Sequence, residues 1–272
     1  MSYEPGESDV AVVLGPGGPV GTAWLLGLAA GLRRAGADLA GADLIVGTSA
    51  GAIAGAAIAT GRDLDELAEV PPRRPDEAGE DPSVMLRVFE ILNEPGADRR
   101  EALRRVGVLA SEANAEPQEV HVAAMERLVA RTWPDARLLV TAVDVDRGEP
   151  VVWTRDSGVA LHVAVASSSA APGYVEPISV GERRYADGAL GGGSNGHLAA
   201  GAGAVILIEP MPFPGAPVEA DVRISPDEAA REAFGPDVGD RSRWADVFKA
   251  GLRQAAAVAE GVGPVLRREA AS

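Results

Sequence analysis

A serine with glycine two residues away on either side, Gly47-Thr48-Ser49-Ala50-Gly51, follows the apolar run Ala42-Asp43-Leu44-Ile45-Val46 and opens an alanine-rich segment. A nucleophile on a tight strand-to-helix turn is held in a strained conformation with its hydroxyl exposed, and small neighbours keep the adjacent chain from colliding with it. The N-terminus of the following helix adds unpaired N–H groups and a positive dipole end near a developing charge. Acyl transfer through Ser49 is the chemistry this pattern would support. A plain turn is the competing reading, since Gly, Ser and Ala are abundant in the chain.

Two further clusters bear on that choice. Gly15-Pro16-Gly17-Gly18-Pro19-Val20-Gly21 follows another apolar run, and clustered glycines after a strand let backbone N–H groups converge on an anion. A phosphate-binding Walker loop needs Lys and then Ser or Thr, and no lysine follows here. A dinucleotide fingerprint needs Gly or Ala where Val20 stands. An oxyanion hole needs only free amides beside the nucleophile; a turn without a ligand is the alternative. Late in the chain, Asp187-Gly188-Ala189 follows a short strand and precedes Gly191-Gly192-Gly193. An isolated Asp-Gly pair is ordinarily a turn, but its co-occurrence with the other two motifs, in this order, weights it towards function.

An early glycine-rich loop, then G-T-S-A-G, then a late D-G-A resembles the patatin-like phospholipase family, and Ser167-Ser168-Ser169-Ala170-Ala171-Pro172-Gly173 resembles that family's helix-to-loop element. The resemblance extends over residues 10–208. It implies a three-layer α/β/α fold with a mostly parallel central sheet, and a Ser–Asp dyad in place of a triad. Carried over motif by motif, Ser49 is the nucleophile, Asp187 the base, and Gly17 and Gly18, with Gly15, the oxyanion donors. The substrate implied is a lipid or lysolipid acyl ester, or a small ester. One departure stands out: Val20 occupies a position that is often Arg or Lys in the family. That weakens the case for anionic phospholipids more than the case for ester hydrolysis.

The histidines offer a rival base. Of His121, His162 and His197, the first two fall on predicted helices among apolar residues and read as core or surface. Ser49, Asp187 and His197 follow the Ser…Asp…His order of α/β-hydrolases, so a triad esterase is an alternative. His197 lies close to Asp187 in sequence, at the start of a predicted helix, which favours the dyad. Asp144 and Asp146 read as a solvated hairpin turn and Glu209-Pro210 as structural. With paired histidines and thiolates missing, no metal is expected, and no cofactor. A non-catalytic ligand- or partner-binding protein on the same fold is the reading from a different class.

The elements that must position these groups are legible as an alternation. Strands are predicted at 9–14 and 42–46, each followed by a glycine turn and a helix, at 22–35 and 50–60; this order suggests a parallel α/β sheet. A proline-rich linker or surface loop spans 70–82. Amphipathic helices follow at 83–93, 98–106 and 118–133, a helical insertion at about 70–133 where a lid would sit or which is plain scaffold. Strands return at 137–145 and 150–154 across an Asp146-Arg147-Gly148 turn, with a helix at 159–169 and strands at 183–186 and 204–208. Ser225-Pro226-Asp227-Glu228 reads as a helix start with Ser225 as N-cap, and a terminal amphipathic helix covers 243–262. The expectation is one domain over 1–272 with a helical extension from about 225.

Composition sets the outer bounds. The 272 residues suffice for a buried core. Apolar residues make up 46% but aromatics only 4%, so Ala, Val and Leu must build it. A formal charge of −15 argues against nucleic acid and against docking on an anionic leaflet. No cysteine is present, which excludes disulfides and thiolate chemistry. The uncharged stretches 10–32 and 44–61 are long enough to span a membrane, but each is broken by a glycine-rich turn, so no stable insertion is expected. The first nine residues are acidic, unlike a signal peptide, and a cytoplasmic location is expected.

Overall fold

The computed structural model describes residues 5–69, 81, 83–212 and 219–267. Its centre is an eight-stranded sheet ordered β5-β6-β3-β2-β1-β7-β8, with β4 on β3. The strands are β1 Val10–Leu14, β2 Leu44–Gly47, β3 Arg137–Asp144, β4 Glu149–Trp153, β5 Ile178–Val180, β6 Arg183–Asp187, β7 Ala204–Ile208 and β8 Val222–Ile224. The block β3-β2-β1-β7-β8 is parallel; β4, β6 and β5 add antiparallel pairs. The core strands of the parallel block, β1, β2 and β7, are buried along almost their whole length, as strands covered on both faces must be.

Side-chain alternation divides the core into two faces. Val12, Leu14, Ile45, Val140, Ile206 and Ile208 face one layer. That layer includes α1 Gly18–Arg34, α2 Ala50–Ala59, α5 Gln118–Leu128, α6 Leu161–Ser168, α8 Glu228–Phe234 and α9 Trp244–Leu266. On the opposite face, Val143, Val145 and Ala186 pack on α3 Ser83–Leu92 and α4 Arg99–Glu112. Ala11, Val13, Leu44, Val46 and Leu207 are covered there by a short segment around Leu198 and Ala199. The result is the expected α/β/α arrangement. Small side chains make it close: α2 is a run of Ala, Gly and Ile with Ala50 to Ile58 all buried. The buried Trp24 Nε1 donates to Gln254 Oε1 at 3.0 Å, which satisfies both polar groups and joins α1 to α9.

Several local expectations are corrected. The loop after β1 was expected to run to Gly21, but α1 begins at Gly18 (φ 61), with Pro19 in its first turn where a missing N–H costs nothing. The helix expected at 98–106 continues, as α4, to Glu112. A Cβ at Gly107 would lie 2.6 Å from Val145 Cβ, so the glycine serves close packing inside the helix. Helix α5 stops at Leu128, short of 133, and Trp133 instead donates its indole N–H to Val159 O. Asp227, rather than Ser225, caps α8 by accepting from Ala230 N. Strands β5 and β8 are too short to show a period. The proline-rich stretch 70–82, Asp81 apart, lies outside the described residues.

Candidate active site

The position of the site follows from the two edges of β3. Val140 pairs with Gly47 of β2 and also with Trp153 of β4; Ala142 pairs with Asp187 of β6 and also with Val151 of β4. A strand has two edges, and β4 occupies one of them along this stretch. Strands β2 and β6 must therefore share the other, meeting end to end. Strand β2 runs up that edge and leaves it at Gly47, while β6 runs down it and leaves at Asp187. Only Thr141 separates the two register positions. Ser49 and Asp187, 138 positions apart in the chain, are thus delivered to one point beyond the carboxyl ends of the parallel strands, where open α/β sheets bind ligands.

The turn at Ser49 is the expected elbow. Its backbone sits at φ 56, ψ −117, and Ser49 and Asn195 are the only non-glycine residues with positive φ among those described. Such a conformation stores strain. The flanking glycines have a steric cause: a Cβ at Gly51 would lie 1.9 Å from Leu14 O, and one at Gly47 would lie 2.7 Å from Ala52 Cα. Ser49→Gly is expected to resist denaturant better than Ser49→Ala, by about 1 kcal/mol, because only glycine relieves a positive φ. Equal stabilities would show that the elbow is unstrained.

Ser49 Oγ donates to Asp187 Oδ2 at 2.6 Å, and Ala189 N donates to Asp187 Oδ1 at 2.9 Å. Both side chains are buried, each residue 6% exposed. Burial pushes the Asp187 carboxyl up to about 6; the hydrogen bonds from Ser49 and the Ala189 amide hold it from rising further. A carboxylate titrating there is a better base at neutral pH than one titrating near its usual value.

The amides nearby divide into used and free. Gly15 N donates to Ile208 O at 2.9 Å as part of the β1–β7 approach, which removes Gly15 from the expected oxyanion donors. Thr48 N donates to Leu14 O, and Ser49 N to Ser168 Oγ at 2.9 Å. Among the described residues, no group accepts from the amides of Gly17, Gly18 or Ala50. Gly17 and Gly18 open α1 at the end of β1, whose Leu14 is in register with Gly47, and Ala50 opens α2. The free amide of Ala50 was not anticipated; its place directly after Ser49 was the available signal.

Other expected residues fall elsewhere. His197 is exposed on the 3-10 turn at 196–199, and Ser49 Oγ contacts Asp187 directly, with no imidazole between them. His121 is buried, with Nδ1 3.1 Å from Glu116 Oε1 and Nε2 2.9 Å from Ser169 Oγ. His162 is buried too, and burial lowers its pKa. Asp144 is 1% exposed, not solvated: it accepts from the amides of Asp146 and Arg147 and pairs with Arg183. Glu209 accepts from Ser194 Oγ at 2.6 Å. Val20 is fully buried, so its place in the glycine loop belongs to the core.

Sequence reasoning missed the supports. The end of α6 holds both halves of the site: Ser168 Oγ accepts from Ser49 N, Ser168 O from Gly188 N, and Ala170 O from Asp187 N. The run of three serines was visible, but nothing in it marks Ser168 over its neighbours.

These features define a three-layer α/β/α fold with a serine on a strand-to-helix elbow in contact with a buried carboxylate. The sequence profile described as patatin-like phospholipase matches residues 12–200, and the chain belongs to that family, as a hydrolase acting on ester bonds. No curated protein matches it. Among solved structures, VipD from Legionella pneumophila is similar at 13% identity and TM-score 0.45, over 93% of this chain and 67% of that one. The type III effector protein ExoU is similar at 16% identity and TM-score 0.40, over 97% of this chain and 54% of that one. This chain thus spans about half of ExoU. Among the described residues, no helix is long and apolar enough to cross a membrane.

Proposed function

We propose that this protein cleaves lipid or lysolipid acyl esters through an acyl-enzyme on Ser49, with Asp187 as the base. The observation that carries the reading is the 2.6 Å bond from Ser49 Oγ to Asp187 Oδ2 at a strained elbow. Ser49 Oγ attacks the ester carbonyl and passes its proton to Asp187 Oδ2. The amides of Gly17, Gly18 and Ala50 receive the tetrahedral oxyanion, and each such donor is typically worth about 3 kcal/mol of transition-state stabilisation. The intermediate collapses as Asp187 returns the proton to the leaving alcohol. Water, deprotonated by the same carboxylate, then releases the fatty acid and restores Ser49.

The substrate follows from charge. With a formal charge of −15 and a buried valine at the often basic loop position, the enzyme has little to attract an anionic head group. Neutral or zwitterionic acyl esters, met as dispersed molecules in the cytoplasm, fit best. A fluorophosphonate with peptide mapping is expected to label Ser49. A short-chain chromogenic ester is expected to be hydrolysed by the wild type, not by Ser49→Ala, and at nearly full rate by His197→Ala. A wild type that neither labels nor turns over would leave the ligand-binding reading of this fold.

A further inference from the structure

The dyad is assembled from segments 138 positions apart in the chain, so some group must fix their distance. Beneath them lies a buried polar cluster that the reaction itself does not use. Asn195 is 4% exposed and adopts φ 53, ψ 32, a left-handed conformation that asparagine tolerates better than most residues. Its Nδ2 lies 3.1 Å from Thr48 Oγ1, 3.2 Å from Thr141 Oγ1, 3.2 Å from Gly188 O and 3.1 Å from Gly193 O. Gly188 O and Gly193 O only accept, which fixes the amide's orientation with the NH2 group towards the cluster. Thr48 Oγ1 and Thr141 Oγ1 are in turn 2.8 Å apart.

The identity of these partners matters more than their number. Thr48 immediately precedes Ser49, Gly188 immediately follows Asp187, and Thr141 is the β3 residue between the register positions where β2 and β6 end. We infer that Asn195 is a positioning residue, whose side-chain amide ties the chain before the nucleophile to the chain after the base and so sets the Ser49–Asp187 contact. The inference rests on the dyad reading. It also accounts for the pairing of strained residues: among the described residues, the two non-glycine positive φ angles belong to the nucleophile and to its tether. The two N–H groups of this buried amide are shared among four acceptors. Thr48 Oγ1 and Thr141 Oγ1 keep each other and Gly188 O keeps Gly191 N when it is removed, so what its loss takes away is the link between the segments.

The test compares wild type, Asn195→Ala and Thr141→Val, with rates normalised to the sites that fluorophosphonate labels at Ser49. For Asn195→Ala, kcat per labelled site is expected to fall about 100-fold, the scale of a small misplacement of reacting groups, with KM within about threefold of wild type. The acid limb of kcat/KM, expected near about 6 from the Asp187 carboxyl, should move upward, because a weakened Ser49 bond no longer favours the ionised form. A tether lost from a merely structural role would lower the number of labelled sites and leave that limb in place. Thr141→Val removes one partner and should show the same changes in smaller measure, about tenfold in kcat. Per-site kcat and an acid limb equal to wild type in Asn195→Ala overturn the inference; if that variant does not fold, the same result in Thr141→Val does. Absence of any adduct on wild-type Ser49 removes the dyad reading and this inference together, whereas a labelled wild type with unaltered variants removes only the tether.

Discussion

Asp187→Asn is expected to be inactive and, above about pH 7, more stable than the wild type. The loss of activity follows from chemistry: the amide cannot take the Ser49 proton, and a positioned general base contributes about 100- to 10,000-fold. The gain in stability follows from burial. The carboxyl titrates near about 6 in the folded protein, against 3.8 for an unperturbed aspartate. Between those values the native state binds more protons than the unfolded state, so stability falls as pH rises through this window. Above it the folded protein carries the full cost of a buried carboxylate, on the order of 3 kcal/mol. Below the unfolded value both states are protonated and the cost is absent. The substituted asparagine retains an oxygen for the Ala189 amide and carries no charge. Its advantage in urea unfolding should therefore approach that figure near about pH 8 and vanish near about pH 4. A variant equally stable at both pH values would show that Asp187 is not desolvated, and would remove the reason for expecting it to act as a base near neutrality.

Gly51→Ala is expected to destroy the fold rather than tune it. The added Cβ would lie 1.9 Å from Leu14 O and 2.3 Å from Leu14 C, both backbone atoms of the central strand β1. No rotamer change relieves such a contact; either α2 or β1 must move, and β1 and residues 50–58 of α2 are all buried. Overpacking at a side chain ordinarily costs about 1–3 kcal/mol, and this collision should exceed about 4 kcal/mol, enough to leave most of a marginally stable domain unfolded. Gly61→Ala provides the comparison: its Cβ meets nothing within 4 Å, and only a positive φ of 67 resists it. That substitution should cost about 1 kcal/mol. Thermal unfolding of the two proteins checks the difference, and a well-folded Gly51→Ala with a wild-type midpoint would contradict the elbow geometry.

The sequence by itself determined what chain-local chemistry can specify. A Val-rich run ending in glycine makes a buried strand wherever it packs, and two such runs, each followed by a glycine turn and an apolar helix, imply a parallel α/β core. The glycines around Ser49 mark an elbow because the strain and the close approach to β1 occur within a few residues of the serine. The cap of α8 was misplaced by two residues because Ser225 and Asp227 are both competent caps, and only the packing of that helix against α9, with Arg253 reaching Asp227, decides between them. The helix expected at 98–106 was cut short for the same kind of reason, since only tertiary packing shows that glycine at 107 stands inside α4, against Val145.

The tertiary structure decided which groups act together. Nothing local joins Asp187 to Ser49; they meet because β2 and β6 share one edge of β3, a consequence of register between distant segments. The β1–β7 register likewise commits the Gly15 amide to Ile208 O, and packing leaves His197 at the surface and brings Ser168 and Asn195, 119 and 147 positions from their partners, beside Thr48 and Ser49. A hydrogen bond depends on the position of both its ends, and for pairs so far apart in the chain only the packed sheet supplies the second position.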